Sequence, residues 1–510
     1  MRPSSYAQTN SVITLFSVIA GEVLNHSPQQ IATLDNNLKG FSISNLPQAL
    51  RDAARVTRKL GLKYLWVDSL CIIQDSITDK DNEIPKMANY YKNAYVTICS
   101  GGKSCNDGFL ETRDECKAHP GLGIPDNLLK LPYLCRNEDV GTVYFREESP
   151  YFLTWEPVYK RAWTLQEQTL SPRILTYGSR LLWQCHSSQH SHGGVEDWSM
   201  DMRRADCRSL HVAFTGKDMG SEDDDASEEV SSKRHNKSSA LYGNWYTAVQ
   251  EYSSRKMTLS EDKLSGIAGL AIEFSTRTKD DYLAGLWRRH LLQGLMWSTY
   301  PNLALIRPSA WRAPSWSWAS IDNHVTFDRL PPREAEPLSH VVKCEVSARS
   351  SASPFAHVSS AVLEIEGPLL ANIGGEGAKK MLREEYMMPG PTGKGEDWRR
   401  FFINFTDHGS QGLSNEEWEP PEVMACLLLF ATPIPKEEAE SKGKGESKSE
   451  DKSKSGEESK RGEEEPGHIV CGLVLEDKGE GTYERVTCFT NVRFKGLENL
   501  GERRQVVRIV

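Results

Sequence analysis

The chain has 510 residues, 38% of them apolar, which is enough for two or three domains with real cores. Its formal net charge is −9 and no basic run is interleaved with aromatics, so nucleic-acid binding driven by bulk charge is excluded. Eleven cysteines, an odd number without C-x-x-C pairs, fit a reducing compartment better than a disulfide framework. The apolar run from Val12 to Ala20 has the length of a signal-peptide core behind Arg2 but is too short to span a bilayer. With that cysteine pattern, the expectation is a soluble cytoplasmic protein with no membrane span.

In chain order, the spacing predicts a helix from Ser44 to Gly61, with Ser44 or Asn45 as cap and Pro47 in the first turn. Leu46, Leu50, Ala53, Ala54, Thr57 and Leu60 form its stripe, and Gly61 supplies the stop. Tyr64 to Ile73 is almost continuously apolar, the pattern of a strand covered on both faces. A second helix is expected from Asp81 or Asn82 to Lys92 with Pro85 in its first turn, then a strand from Ala94 to Cys99. Helix, strand, helix, strand implies parallel pairing and an α/β fold. Arg161 to Leu170 reads as a helix, and Ile174–Tyr177 with Leu181–Cys185 as a hairpin.

Residues 201–240 include an acidic, Ser-rich stretch and read as a disordered loop. Trp245 to Tyr252, Leu264 to Phe274 and Tyr282 to Trp297 read as helices of a continuation over 241–340. From 341 the patterns are those of strands, interrupted by a Glu, Lys, Ser and Gly insertion over 435–467. Trp311, Trp316 and Trp318 around Pro314 suit core packing or an aromatic platform.

Two segments carry the functional signal: Tyr64 to Asp75, and Arg161 to Ser171, where Trp163, Gln166 and Glu167 are gathered. Each places acids and amides within or beside an apolar run, where a buried polar group must be paired. Together they resemble the fungal heterokaryon-incompatibility (HET) domain. Further matching segments, in the family's order, are Asn45 to Ala53, Glu83 to Met87, Tyr91 to Ile98, Trp245 with Tyr252, Leu264 to Ala268, Tyr282 to Trp287 and Arg312 to Ser320. The resemblance covers roughly residues 33 to 325. It departs at the start: the family opens with a strand ending in Ser-Tyr-x-Trp-Gly, whereas Ser5 and Tyr6 are followed here by Ala7, Gln8 and Thr9. A HET domain over 1–200 is therefore expected to have a first strand that is divergent or missing.

The resemblance implies a role in non-self recognition and programmed cell death. The HET family has been proposed as distantly related to TIR domains, some of which cleave NAD with one essential glutamate. That implies a TIR-like parallel sheet with flanking helices, NAD as a substrate rather than a cofactor, and Glu83 or Glu167 as the catalytic carboxylate. The structural alternatives are a favourable helix N-terminal charge for Glu83 and a helix-surface salt bridge for Glu167. Asp68, Gln74, Asp75, Trp163 and Gln166 are the ligand-binding candidates. A buried Asp68 held by backbone amides or Arg161, and a loop-capping Gln74 and Asp75, are the competing readings.

Cys71, inside an apolar run, reads as inert packing. Cys185, His186, His190 and His192 fit no zinc spacing, so no metal is expected. Gly101 to Ser104 lacks the first glycine of a P-loop, Thr97 standing in its place. The alternative to an enzyme is a signalling module acting through self-association or a protein partner.

Overall fold

In this computed structural model the chain divides into two units, residues 1–221 with 255–257 and residues 222–254 with 258–510. The described residues are 13–17, 29–102, 104–110, 129–134, 139–145, 156–178, 181–185, 188–191, 207–215, 230–299, 306–332, 334–370, 424–433, 468–494, 497, 501 and 503–510.

Unit 1 runs β1 (Ile13–Ser17), α1 (Ile31–Leu38), α2 (Gln48–Lys59), β2 (Tyr64–Trp66), α3 (Asp68–Cys71), α4 (Ile77–Asn93), β3 (Val96–Ser100), a separate hairpin of β4 (Leu129–Leu134) and β5 (Val140–Phe145), α5 (Thr164–Leu170), β6 (Arg173–Tyr177), β7 (Leu181–Cys185), β8 (Gln189–Ser191) and α6 (Cys207–Thr215). The main sheet has the order β2-β1-β3-β6-β7-β8. Its first four strands are parallel, and β7 and β8 continue it antiparallel. The α/β expectation and the hairpin of β6 and β7 agree with this sheet.

Alternation along the strands gives the sheet two unlike faces. Leu65, Val67, Ile98, Leu175 and Tyr177 pack with Phe109 and the buried stripe Ala49, Leu50, Ala53 and Val56 of α2. Gly61, at φ +73, ends the turn after α2 as expected. On the other face Trp66 meets Tyr90 and Tyr91 of α4, Thr97 bonds Ser171 at 2.7 Å, and Tyr159 bonds Thr176 at 2.5 Å. One face is an apolar core and the other a buried polar network.

Of the two outcomes left open for the first strand, it is present: β1 lies between β2 and β3, pairing Ile13 with Tyr64 and Thr14 with Val96. Three sequence expectations for unit 1 are corrected. Tyr64 to Ile73 is not one strand. The Asp68 carboxylate accepts the Ser69 N–H at 2.6 Å and the Gln74 amide donates to the Asp68 and Ile72 carbonyls, which coils the chain into α3. The helix expected from Asp81 or Asn82 starts at Ile77 behind Ser76, whose Oγ accepts the Asp79 N–H, so Pro85 lies inside it and Glu83 does not open it. Finally, α6 occupies part of the expected disordered loop because Leu210, Ala213 and Phe214 are buried and His211 bonds the Thr169 carbonyl at 2.6 Å.

Unit 2 contains α7 (Val230–Ser253), α8 (Ala268–Thr278), β9 (Tyr282–Leu283), β10 (Leu286–Trp287), α9 (Leu291–Gly294), β11 (Ser298–Thr299), β12 (Val325–Thr326), β13 (Glu336–Pro337), β14 (His340–Ala348), β15 (Val358–Leu370), β16 (Met424–Pro433), β17 (His468–Gly479), β18 (Thr482–Phe494) and β19 (Arg504–Ile509). The start of α7 at Val230 corrects the disordered reading again; residues 216–229 and the insertion over 435–467 lie outside the described residues. Tyr282 to Trp297 is not a helix. Ala284 and Gly285 both take positive φ, 47° and 97°, and fold β9 onto β10 as a tight hairpin. The Gly285 carbonyl accepts both Trp245 Nε1 at 3.1 Å and Trp318 Nε1 at 2.9 Å. Trp316 and Trp318 are fully buried, whereas Trp311 is exposed, so the aromatic cluster is core.

The β-rich tail is a seven-stranded sheet ordered β13-β16-β17-β18-β19-β15-β14. β16 also pairs with β15 through Leu427 with Leu369 and Cys426 with Leu370, so the sheet curls back on itself.

One buried carboxylate ties the apolar face together. Asp52 Oδ1 accepts Gln48 Nε2 at 2.9 Å and Arg55 Nη1 at 3.3 Å, and Oδ2 accepts the N–H groups of Phe109 at 2.9 Å and Leu110 at 3.2 Å. Asp52→Ala strands those two N–H groups and is expected to cost about 3 kcal/mol. Urea unfolding measures this, and a loss below about 0.5 kcal/mol contradicts it.

Candidate functional site

The strand order places β2 on one side of β1 and β3 on the other. In open α/β sheets the crevice beyond the carboxyl ends of strands that diverge this way is where ligands bind. Trp66 is the last residue of β2 and Asp68 opens α3 directly behind it. Helix α4 then returns over the polar face and brings Glu83, Tyr90 and Tyr91 to Trp66. The ring centroids of Trp66 and Tyr90 are 5.2 Å apart, those of Trp66 and Tyr91 6.3 Å. From α5, Glu167 stands close enough to Tyr91 for its charge to raise the pKa of the phenol.

Three carboxylates flank these aromatic rings, each held differently. Glu83 Oε2 accepts the Tyr90 hydroxyl at 2.7 Å and Oε1 faces Lys86 Nζ at 2.8 Å. Glu167 is buried, and α5 is buried along its whole length. Asp68 keeps solvent exposure, yet protein surrounds its carboxyl closely enough that desolvation raises its pKa, against the Ser69 N–H and the charge of Arg161. Tyr91 lies between two of these acids: burial, Glu167 and Asp68 all push its pKa up. Tyr90 is raised by burial and by Glu83.

The remaining candidates divide. Gln74 braces α3, as described, and its N–H donates to the Gln29 carbonyl at 2.8 Å. Asp75 Oδ1 accepts the Ile31 N–H at 2.9 Å and so fixes the start of α1. Both act as loop caps. Trp163 precedes α5 and is half-buried, while Gln166 is buried within it. Among the described residues, no group of three or more histidines, cysteines or acids is placed to hold a metal ion. No helix among them is long and apolar enough to cross a membrane.

Sequence reasoning missed Tyr90, Tyr91 and Glu156. Tyr90 was within reach of it, since it stands seven residues after Glu83 and hence two turns along the same helical face. Glu156 left no such signal. Its carboxylate fills the notch at the ends of β3 and β6, where Gly101 and Gly178 approach it so closely that a Cβ on either would collide with it.

The fold and site are those of an α/β domain with a parallel sheet, a switch in strand order and carboxylates beside the carboxyl ends of its strands. Residues 19–167 match the family model described as heterokaryon incompatibility protein (HET), so unit 1 carries a HET domain over those residues. β1 precedes the match, in keeping with a first strand that is present but divergent in sequence. No curated protein and no solved structure matches the chain.

Burial, reinforced by the charges of Asp68 and Glu83, pushes the Cys71 thiol up to about 11. At pH 8 its thiolate fraction should be roughly 100-fold below that of an ordinary thiol. Mass-spectrometric alkylation of the folded protein should show Cys71 reactivity still rising steeply between pH 9 and about 11. A plateau reached by about pH 9 contradicts this.

Proposed function

We propose that the protein is a heterokaryon-incompatibility factor that acts in the cytoplasm in non-self recognition and programmed cell death, and that its HET domain hydrolyses the ribosyl–nicotinamide bond of NAD. The observation that carries the reading is the convergence of Asp68, Glu83 and Glu167 around Trp66, Tyr90 and Tyr91 beside the carboxyl ends of the parallel strands. In the reaction the C–N bond breaks with its electron pair leaving on nicotinamide. Water adds to the anomeric carbon and releases a proton. Positive charge builds on the ribose in between, and a fixed carboxylate stabilises it.

Glu83 suits that role because Lys86 and Tyr90 fix both its oxygens. Asp68, exposed just behind the end of β2, binds the substrate. Glu167 acts through Tyr91 as a positioning residue. TIR-like chemistry enters here by analogy of strand order and acid placement.

A second reading, a module that works through self-association or a protein partner, is favoured by the apolar side chains around α1. Ile31 is 62% exposed, Leu38 58% and Ile77 80%, and α1 buries none of its residues.

Cellular NAD and survival after induced expression in a fungal host separate the two. The wild type is expected to deplete NAD, and Glu83→Gln to slow depletion about 100-fold or more while the protein stays folded. Glu167→Gln should slow it less. Cell death with steady NAD overturns the enzymatic reading in favour of the partner reading.

A further inference from the structure

The apolar face of unit 1 carries a groove that the reading above does not use. It has a volume of about 700 Å³, within the range of small-molecule sites, and lies between the last two turns of α2, Leu110 and the end of β6. Its apolar lining is Val56, Leu60, Leu110, Leu175 and Tyr177. Leu60 is 45% exposed and Leu110 40%, so the lining opens to solvent on both sides.

Cations edge the same groove: Arg55, Arg58 and Lys59. Arg55 is tethered to Asp52. Among the described residues no acid pairs with Arg58 or Lys59. Favourable interaction with the carboxyl end of α2 accounts for basic residues there, but not for the open apolar lining beside them.

The groove is also built in advance. The buried Asp52 carboxylate binds the backbone of Phe109 and Leu110 and so fixes the Leu110 wall against α2. Gly61 then turns the chain away, with Leu62 N–H bonded to the Thr57 carbonyl at 3.0 Å, which leaves Leu60 at the mouth. A preformed apolar trough with unpaired cations on one edge complements one chemistry: an apolar body with an anionic head.

We propose that this groove is a binding site for a single-chain amphiphilic carboxylate of the fatty-acid class. The alkyl chain lies along Val56, Leu60, Leu110 and Leu175, and the head group meets Arg58 and Lys59. The volume is that of a chain-sized ligand and not of a membrane surface, which would need a broad convex face.

The test is calorimetric titration of the full chain with decanoate, dodecanoate and dodecanol, beside anionic phosphatidylserine vesicles. Dodecanoate should bind about tenfold more tightly than decanoate, two further methylenes being buried. Dodecanol should bind more weakly than dodecanoate. The exposed double variant Arg58→Glu/Lys59→Glu should lose about tenfold or more in dodecanoate affinity while keeping its dodecanol affinity. Leu60→Ser should weaken both. If dodecanoate does not bind, or binds the charge-reversed variant equally well, the proposal fails. Binding of vesicles without binding of free dodecanoate also overturns it, in favour of a membrane surface. None of these readouts involves NAD or cell death, so they stand apart from the reading of the carboxylates around Asp68.

Discussion

The constraint on which the polar side of unit 1 depends is the burial of Glu167. A carboxylate taken out of water must be hydrogen-bonded or it unfolds the segment that carries it. Here Tyr91 of α4 stands beside the acid, its pKa raised by burial and by the Glu167 charge, while α5 itself is fastened at both ends. Thr164 Oγ1 donates to the Val158 carbonyl at 2.9 Å, and Arg255 reaches Thr164 Oγ1 at 3.0 Å and Gln168 Oε1 at 2.7 Å. Ser171, just past the helix, bonds Thr97 of β3. Placing the acid thus fixes α5 against both α4 and the sheet.

From that arrangement comes the division of labour between the two faces. The α2 face holds the sheet by apolar burial, with Asp52 as the one carboxylate that stitches the Phe109 segment to the helix. The α4 and α5 face gives up apolar area for a network of hydroxyls, a thiol and acids. Cys99 shows the cost of that choice: burial and the nearby charge of Glu167 push its pKa up, while Tyr159 and Thr176 supply hydrogen bonds in return. Polar networks of this kind rigidify a core only when each member is satisfied. They also put titratable groups beside the carboxyl ends of β2 and β3, where chemistry on a bound ligand is geometrically open.

The sequence made visible the elements that obey a single local rule. The α2 stripe, its Gly61 stop, the β6–β7 hairpin and the β-rich tail all follow from periodicity and turn residues. The two segments holding Asp68 and Glu167 were legible as polar groups in apolar surroundings. The failures came where a side chain outvoted the pattern. Tyr64 to Ile73 has the hydrophobicity of a strand, but Asp68 and Gln74 offer the backbone local hydrogen bonds that coil it. Pro85 suggested a helix start, yet Ser76 caps the helix two turns earlier. Tyr282 to Trp297 has helical spacing, but the adjacent Ala284 and Gly285 take left-handed conformations and the large aromatics pack better around a hairpin. The glycines facing Glu156 are far apart in sequence, so no spacing rule joins them. The convergence of Glu83, Asp68 and Glu167 is likewise a product of the crossover between strands and not of any one segment.

The most direct measurement is a double-mutant cycle on Tyr91→Phe and Glu167→Gln, read by urea unfolding of the full chain. If Tyr91 holds the buried Glu167, the two substitutions are coupled by about 1–3 kcal/mol, the second costing little once the first is made. Effects that add to within about 0.3 kcal/mol would contradict the account, because the acid would then be held in place by something other than Tyr91.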